Sequence, residues 1–389
     1  MSHARSSPPD AGYELRVLPS VREIPEATWD ALLGEDSSPF MRWAWLDTLE
    51  ETGCVGGDTG WVPAHISLWK GGDLVCVAPS YVKGNSEGEF VFDWSWADLA
   101  ERLGVPYYPK VVVSVPFTPA TGDRVLVAPG VDRAFAAGLL ASGARQWAER
   151  AGASGVHLLF PREEEAAAWE AAGYLRRDGF QYHWFRHGAT TWTDYLARFN
   201  SKHRNQIKRE LRGIDEQGLV IETLAPAEHT REIARTMHRY YARTIARHGM
   251  WGRMYLNAAF FERIVERFRD HLAWVVARRG PGGEPVGGAF NVVSNKRLYG
   301  RYWGAEVDAP YLHFAVCYYE GIRFSIERGL DVFEPGAGGE HKRPRGFVPT
   351  LTRSAHWVAD RRIRSALAPW LERERARVGS IIEGEADDE

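Results

Sequence analysis

Two histidines, four glycines, Lys342 and three arginines fall between Phe333 and Trp357, in the run FEPGAGGEHKRPRGFVPTLTRSAHW. Such a stretch has too little apolar surface to build a core. Gly336, Gly338 and Gly339 let the backbone turn its N–H groups toward one point, which suits an anion. Lys342, Arg343 and Arg345 add cationic side chains, and Arg345 can hold a phosphate or carboxylate through two parallel hydrogen bonds. His341 and His356 are candidate bases, because an imidazole titrates near neutrality. Glu334 and Glu340 are candidates to orient them or to act as bases themselves. A solvated surface loop has a similar composition, but two imidazoles and an aromatic-rich strand upstream favour a working site.

That strand is RYWGA, followed by APYLHF, and it brings Arg301, Tyr302, Trp303 and His313. On a regular strand Arg301 and Trp303 point to one face and Tyr302 to the other. Gly300, and Gly287-Gly288 on the strand before, are places for a bulge or a close backbone approach, or else they mark hairpin ends. In HFAVCYYEGIRF, His313, Cys317 and Glu320 share a helical face, which reaches the pocket or packs on the sheet. A segment with Arg198, Lys202, His203, Arg204, Lys208, Arg209 and Arg212 reads as a basic helix beside Trp192, Tyr195 and Phe199. It either holds an RNA backbone or is simply a solvated face. In the N-terminal half, Asp93-Trp94-Ser95-Trp96 and Tyr107-Tyr108-Pro109-Lys110 read as pocket wall, with Arg124 just beyond.

The elements that must position these residues follow from the hydrophobic pattern. WVPAHISLW, a Gly71-Gly72 turn and DLVCVAPSYVK alternate as a β-hairpin, and EFVFDW reads as a third strand. An alanine-rich helix spans about 132–150, GVHLLF is a buried strand, and EEEAAAWEAAG is a helix closed by Gly173. After YLRRDGFQYHWF the order begins again: a basic helix from about 200 to 216, the strand LVIETL and two further helices. A three-strand meander, a helix from 313, the strand DVFEPG, the strand SAHWVAD and a last helix (361 to about 377) complete it. The repetition predicts two copies of one mixed α/β domain, joined near residue 190.

Bulk properties narrow the function classes. The 389 residues are 44% hydrophobic and 25% charged, enough for a sizeable core and two domains. A net charge of −3 argues against general nucleic-acid or membrane-surface affinity. Cys54, Cys76 and Cys317 form neither a disulfide framework nor a C-x-x-C pair for zinc. No apolar stretch is long enough to span a bilayer, so the chain reads as soluble and cytoplasmic, with no stable membrane insertion. Residues 1–12 and the acidic 376–389 read as disordered. P-loop, G-x-S-x-G, H-E-x-x-H and dinucleotide-binding patterns are all absent.

FNSKHRNQIKRELRGIDEQGLVIETL resembles the entry to the second domain of Fem-type peptidyltransferases. WGRMYL, RYWGAEVDAPYLHF and EPGAGGEHKRPRGFVPTLTRSAHW extend that likeness over roughly residues 13–375. The chain is similar to the FemAB-like branch of the GNAT acyltransferase superfamily. The resemblance implies an α/β fold of mixed sheets in two tandem GNAT-like domains, 13–190 and 191–375, the second carrying the site. It implies direct transfer of an aminoacyl group from aminoacyl-tRNA, or an acyl group from acyl-CoA, to an amine on a small molecule, peptide or cell-wall precursor. No cofactor or metal is implied beyond the donor as co-substrate. Such chemistry needs a base and oxyanion donors. His341, Glu334, His313 and Glu320 are the catalytic candidates. Lys342, Arg345, Gly336, Gly338, Gly339, Arg301, Lys202, Arg204 and Lys208 are the candidates for donor and anion binding. Trp94, Trp96, Tyr108, Trp251, Tyr302 and Trp303 are the candidates for the acceptor pocket. Two departures from relatives are visible: no heptad stretch builds a helical arm, and the Q/R-x-x-G-x-G/A motif for acetyl-CoA is missing. A non-catalytic module that binds a cell-wall precursor or peptide is the alternative from another class.

Overall fold

The computed structural model describes residues 12–247 and 253–386. Residues 1–11, most of the N-terminal segment expected to be disordered, and Trp251 lie outside them. By its contacts the chain forms two units, Met1–Phe180 with Leu351–Glu389, and Gln181–Thr350.

The first unit holds β1 (Tyr13–Leu18), β2 (Trp61–Pro63), β3 (His65–Lys70), β4 (Asp73–Ala78), β5 (Ser80–Lys83), β6 (Lys110–Val113), β7 (Leu126–Val127) and β8 (Gly155–Leu159). β1, β3, β4 and β7 form one antiparallel sheet. Its β3–β4 hairpin turns at Gly71 and Gly72, both at positive φ, as the sequence predicts. The alanine-rich helix is found at Arg133–Ala151, started by Asp132 accepting from Phe135 N–H and ended by left-handed Gly152. Its small residues Ala136, Ala137, Ala141, Ala144 and Ala148 are buried in one cluster with β3, β4 and β8. In the second sheet, β2, β5 and β6 are antiparallel neighbours, and β6 runs parallel to β8.

β9 (Leu175–Phe185) leads into the second unit, which adds β10 (Leu219–Thr223), β11 (Val275–Arg279), β12 (Pro285–Val293), β13 (Arg297–Ala305) and β14 (Val332–Glu334). β10 to β13 are antiparallel neighbours, β13 runs parallel to β14, and the end of β9 pairs with β14. A helix, Arg231–Arg247, lies close on β13. A Cβ at Gly304 would sit 2.0 Å from the Tyr240 carbonyl oxygen, so only glycine permits that approach. β15 (Val348–Val358) then carries the chain back to the first unit, where Ser354–Val358 pair with β8.

Three expectations are corrected. EFVFDW is not a strand: 89–93 form a loop and Trp94 begins a helix, with Glu89 and Asp93 turned inward to the buried Lys110 ammonium instead of alternating across a sheet. The units divide at 180/181 and 350/351 instead of near 190, and the chain's end belongs to the first unit. There Ile363, Leu367 and Leu371 of the last helix pack with Trp96 and Tyr107, and Arg177 bonds Glu374 at 2.8 and 2.9 Å. Finally, that helix runs from Arg361 to Ala386, through much of the segment expected to be disordered. Among the described residues no helix is long and apolar enough to cross a membrane.

Candidate active site

Everything at the centre of the site lies in the second unit and depends on one widened strand pair. β13 and β14 pair only from Arg297 to Tyr299. Beyond that, β13 continues to Ala305 while β14 ends and the chain turns at Pro335. Gly300 sits at a bulge, where Phe290 faces Tyr302 and Asn291 faces Gly300, leaving Arg301 as the extra residue. A Cβ on Gly300 would lie 3.1 Å from Pro335 Cα, so the bulge lets the glycine-rich loop rest directly on the strand. Gly300 thus fulfils the expected close approach. The bulge also corrects the facing of Arg301, which forms a hydrogen bond with Tyr302 and lies 5.4 Å from its ring instead of pointing away from it.

The loop then passes Gly336, Gly338 and Gly339, all at positive φ, and closes in a short 3-10 helix, Glu340–Arg345. His341 folds back over Gly339, where a Cβ would meet its Cε1 at 2.4 Å. Its Nε2 is 2.8 Å from the Tyr318 hydroxyl. Tyr318 comes from a π-helical turn, Ala315–Tyr319, between short α-helical pieces at Leu312–Phe314 and Glu320–Glu327. His313 stacks on Trp303 with centroids 4.4 Å apart and lies 5.8 Å from the His341 ring. A π-turn inserts a residue into the helical register, so His313, Cys317 and Glu320 do not share one function. His313 faces His341, whereas Glu320 accepts from Thr223 on β10 at 2.9 Å.

Burial first, and neighbouring charge second, set the direction in which these groups are shifted. Partial burial of the ring, with repulsion from Lys342 and Arg345, holds the His341 pKa below the ordinary imidazole value although the residue reaches solvent. His313 is driven down to about 4 by burial, then by His341, Arg345 and Lys342. Both rings are therefore neutral at pH 7. Lys342 is buried and donates to the Gly336 carbonyl at 2.7 Å. Burial lowers its pKa to about 8, with Cys317 acting in the opposite direction.

The structure thus brings together His341, His313, Lys342, Trp303 and the loop glycines. Arg345 is engaged within the protein: its Nη2 is 2.8 Å from both carboxylate oxygens of Glu210, and both side chains are buried. It is accordingly a structural cation, not an exposed anion binder. Glu334 is directed to Arg297 at 2.8 Å and to His183 at 3.8 Å. His356 is buried in the first unit, its Nδ1 2.8 Å from that of His157. Lys202 and Lys208 stand exposed on the basic helix, Ser201–Glu216, while Arg204 donates to Phe199 O at 3.2 Å.

The aromatic candidates do not form one wall. Tyr302 packs on Tyr241 at 4.6 Å, and Trp303 packs on His313. In the first unit Trp96 is core, 1% exposed and 4.8 Å from His356. Trp94 is exposed beside Phe92, and Tyr108 bonds Ser86 at 2.8 Å. Sequence reasoning missed Tyr318 and Glu210. The adjacent tyrosines of CYYEG were the available signal for the first; for the second there was none.

A family model described as peptidoglycan biosynthesis/recognition, FemAB-like, matches residues 20–388. The chain belongs to the FemAB-like family. Among solved structures it is similar to FemX, at 13% identity and a TM-score of 0.53, covering 89% of this chain and 98% of that one. It is also similar to L-PGS from Bacillus licheniformis, at 12% identity and a TM-score of 0.50, covering 89% of this chain and 98% of that one. Among curated proteins none matches this chain in sequence. These likenesses give the FemAB-like chain its fold, the two-part mixed α/β architecture expected of tandem GNAT-like domains.

Proposed function

We propose that this FemAB-like acyltransferase forms an amide, moving an acyl or aminoacyl group from an activated ester to an amine on a peptidoglycan precursor. One observation carries the reading: a solvent-reachable imidazole, His341, is held by Tyr318 at 2.8 Å beside the buried Lys342 and a glycine-rich turn. With Nε2–H donated to the Tyr318 oxygen, Nδ1 is the lone-pair nitrogen and takes the proton of the attacking ammonium. The amine nitrogen bonds the acyl carbon, and the carbon–oxygen bond of the ester (carbon–sulfur for a thioester) then breaks with the leaving group taking a proton. Lys342 and the backbone amides of Gly336–Gly339 stabilise the oxyanion between these events. No covalent enzyme intermediate is required.

Aminoacyl-tRNA is the donor we favour, on the exposed cations Lys202, Lys208, Arg209 and Arg212 of the basic helix. Titration with bulk aminoacylated tRNA, deacylated tRNA and CoA esters across a salt series tests this. Saturable tRNA binding is expected, with a log–log salt slope reduced by about 1 in each of Lys202→Glu and Lys208→Glu. Binding of CoA esters alone would replace the donor, and binding of neither would favour a non-catalytic module.

The pH dependence follows from Lys342. As a cation it serves below its lowered pKa, so kcat/KM should fall on the alkaline side near pH 8. Lys342→Arg, whose guanidinium stays charged, should move that limb to higher pH. An unmoved limb would remove Lys342 from the reaction.

A further inference from the structure

The basic helix has an inner face as well as an outer one. Gln206, Glu210, Gly213 and Gln217 recur at helical spacing along it. Glu210 is 3% exposed and receives Arg345 Nη2 on both oxygens at 2.8 Å. The Tyr319 hydroxyl and Gln206 Nε2 donate to the same carboxylate. Arg345 Nη1 in turn donates to the His341 carbonyl, and its guanidinium lies 3.5 Å from the Phe314 ring centroid. Further along the helix, Gly213 lies under the Tyr311 ring, where a Cβ would meet Cδ2 at 2.9 Å. Gln217 donates to the Pro310 carbonyl at 3.2 Å. Tyr311 is a non-glycine residue at positive φ, two residues before His313. One helix face therefore grips both segments that carry an imidazole of the site.

We propose that Glu210 is a positioning residue that fixes the His341 segment through Arg345. Replacing a buried ion pair by apolar residues of similar volume often costs no stability. What the pair supplies here is geometry: a guanidinium clamped on one side by a carboxylate fixes the carbonyl of His341 on the other. The proposal rests on the reading of His341 as the base, and its test separates the two.

The groups facing His341 are Lys342 and Arg345 from its own segment, and Tyr318 and His313 from the helix beginning at Leu312. Neutralising Glu210 leaves the charge of Arg345 uncompensated, so protonation of His341 becomes harder. In Glu210→Gln the His341 titration, followed by NMR of the Cε1–H signal in the full-length protein, should move to lower pH. In the double variant Glu210→Gln/Arg345→Gln it should move back up. kcat should fall about 10- to 100-fold with KM for the donor nearly unchanged, the signature of a displaced reacting group. Losses in the double variant should not exceed the larger single loss, and Glu210→Asp should restore part of kcat. Should Glu210→Gln not fold, Tyr319→Phe loosens the carboxylate without changing charge and should lower kcat in the same way, though less. An unmoved His341 titration in folded Glu210→Gln, or an unchanged kcat in Tyr319→Phe, would overturn the proposal. A shifted titration in a protein with no transferase activity would sustain the coupling and sink the acyl-transfer reading instead.

Discussion

His341→Ala should lower kcat by about 10²- to 10⁴-fold, the range for loss of a positioned general base, while donor and acceptor still bind. The side chain is on the surface of a loop that bends at glycines, so its removal opens no core cavity. Tyr318 is left with a buried hydroxyl facing the vacated ring site, and water can enter there because His341 is exposed. The fold should therefore survive, and the loss should appear in kcat with KM little changed. Tyr318→Phe separates orientation from basicity. It keeps the ring contacts with Phe314 and Phe347 but removes the bond that fixes the imidazole, and its loss should be the smaller of the two. Steady-state kinetics on both variants decides the matter. If His341→Ala retains more than a third of wild-type kcat, another group is the base.

Lys110→Met should destabilise the first unit by roughly 3–5 kcal/mol, as breaking a buried ion pair from one side does. Lys110 is fully buried, 2.9 Å from a Glu89 oxygen and from Ser86, and bonded also to Asp93. Burial opposes its charge, yet Glu89 and Asp93 outweigh burial and raise its pKa. Burial likewise lifts Glu89 to about 7 against the pull of Lys110, whereas for Asp93 the pull of Lys110 and its hydrogen bonds outweigh burial and leave its pKa lowered. Remove the ammonium and two carboxylates must shed charge or unfold the cluster. Both become weaker acids, so the folded variant holds protons that the unfolded chain releases at pH 7. The deficit should shrink as pH falls toward the unfolded carboxylate values near 4. Urea midpoints at pH 7.5 and pH 5 test this; an equal deficit at both would mean that the cost is lost packing, not charge.

Legibility in the sequence followed the range of the interactions involved. The β3–β4 hairpin, the alanine-rich helix and the meander were readable because period and turn residues are local. EFVFDW misled because its alternation is real, but the partner that draws its acids inward is Lys110, 21 residues after Glu89 and 17 after Asp93. Arg345 looked like a ligand-binding cation because the carboxylate that holds it is not one of the glutamates beside it in the chain. Its partner lies 135 residues earlier, in a helix whose other charges are mostly basic, where a glutamate looks like surface. The helical spacing of His313, Cys317 and Glu320 was sound for an α-helix and failed at the π-turn, which no residue of AVCYY announces. Of the site, the histidines, the lysine and the glycines were visible as types; the groups that hold them were not.

The return of β15 to β8 carries a consequence for how the molecule is made. His157 and its strand partner His356 are 199 residues apart. On a ribosome adding about 5–20 residues per second, β8 waits roughly 10–40 s for its neighbour. Through that interval its antiparallel edge is open while the whole second unit emerges. Vectorial folding, in which the first part of a chain settles before the next is made, is thus denied to this first unit. The nascent protein has an exposed strand edge when it is least able to cover it, and a holdase is expected to find it there.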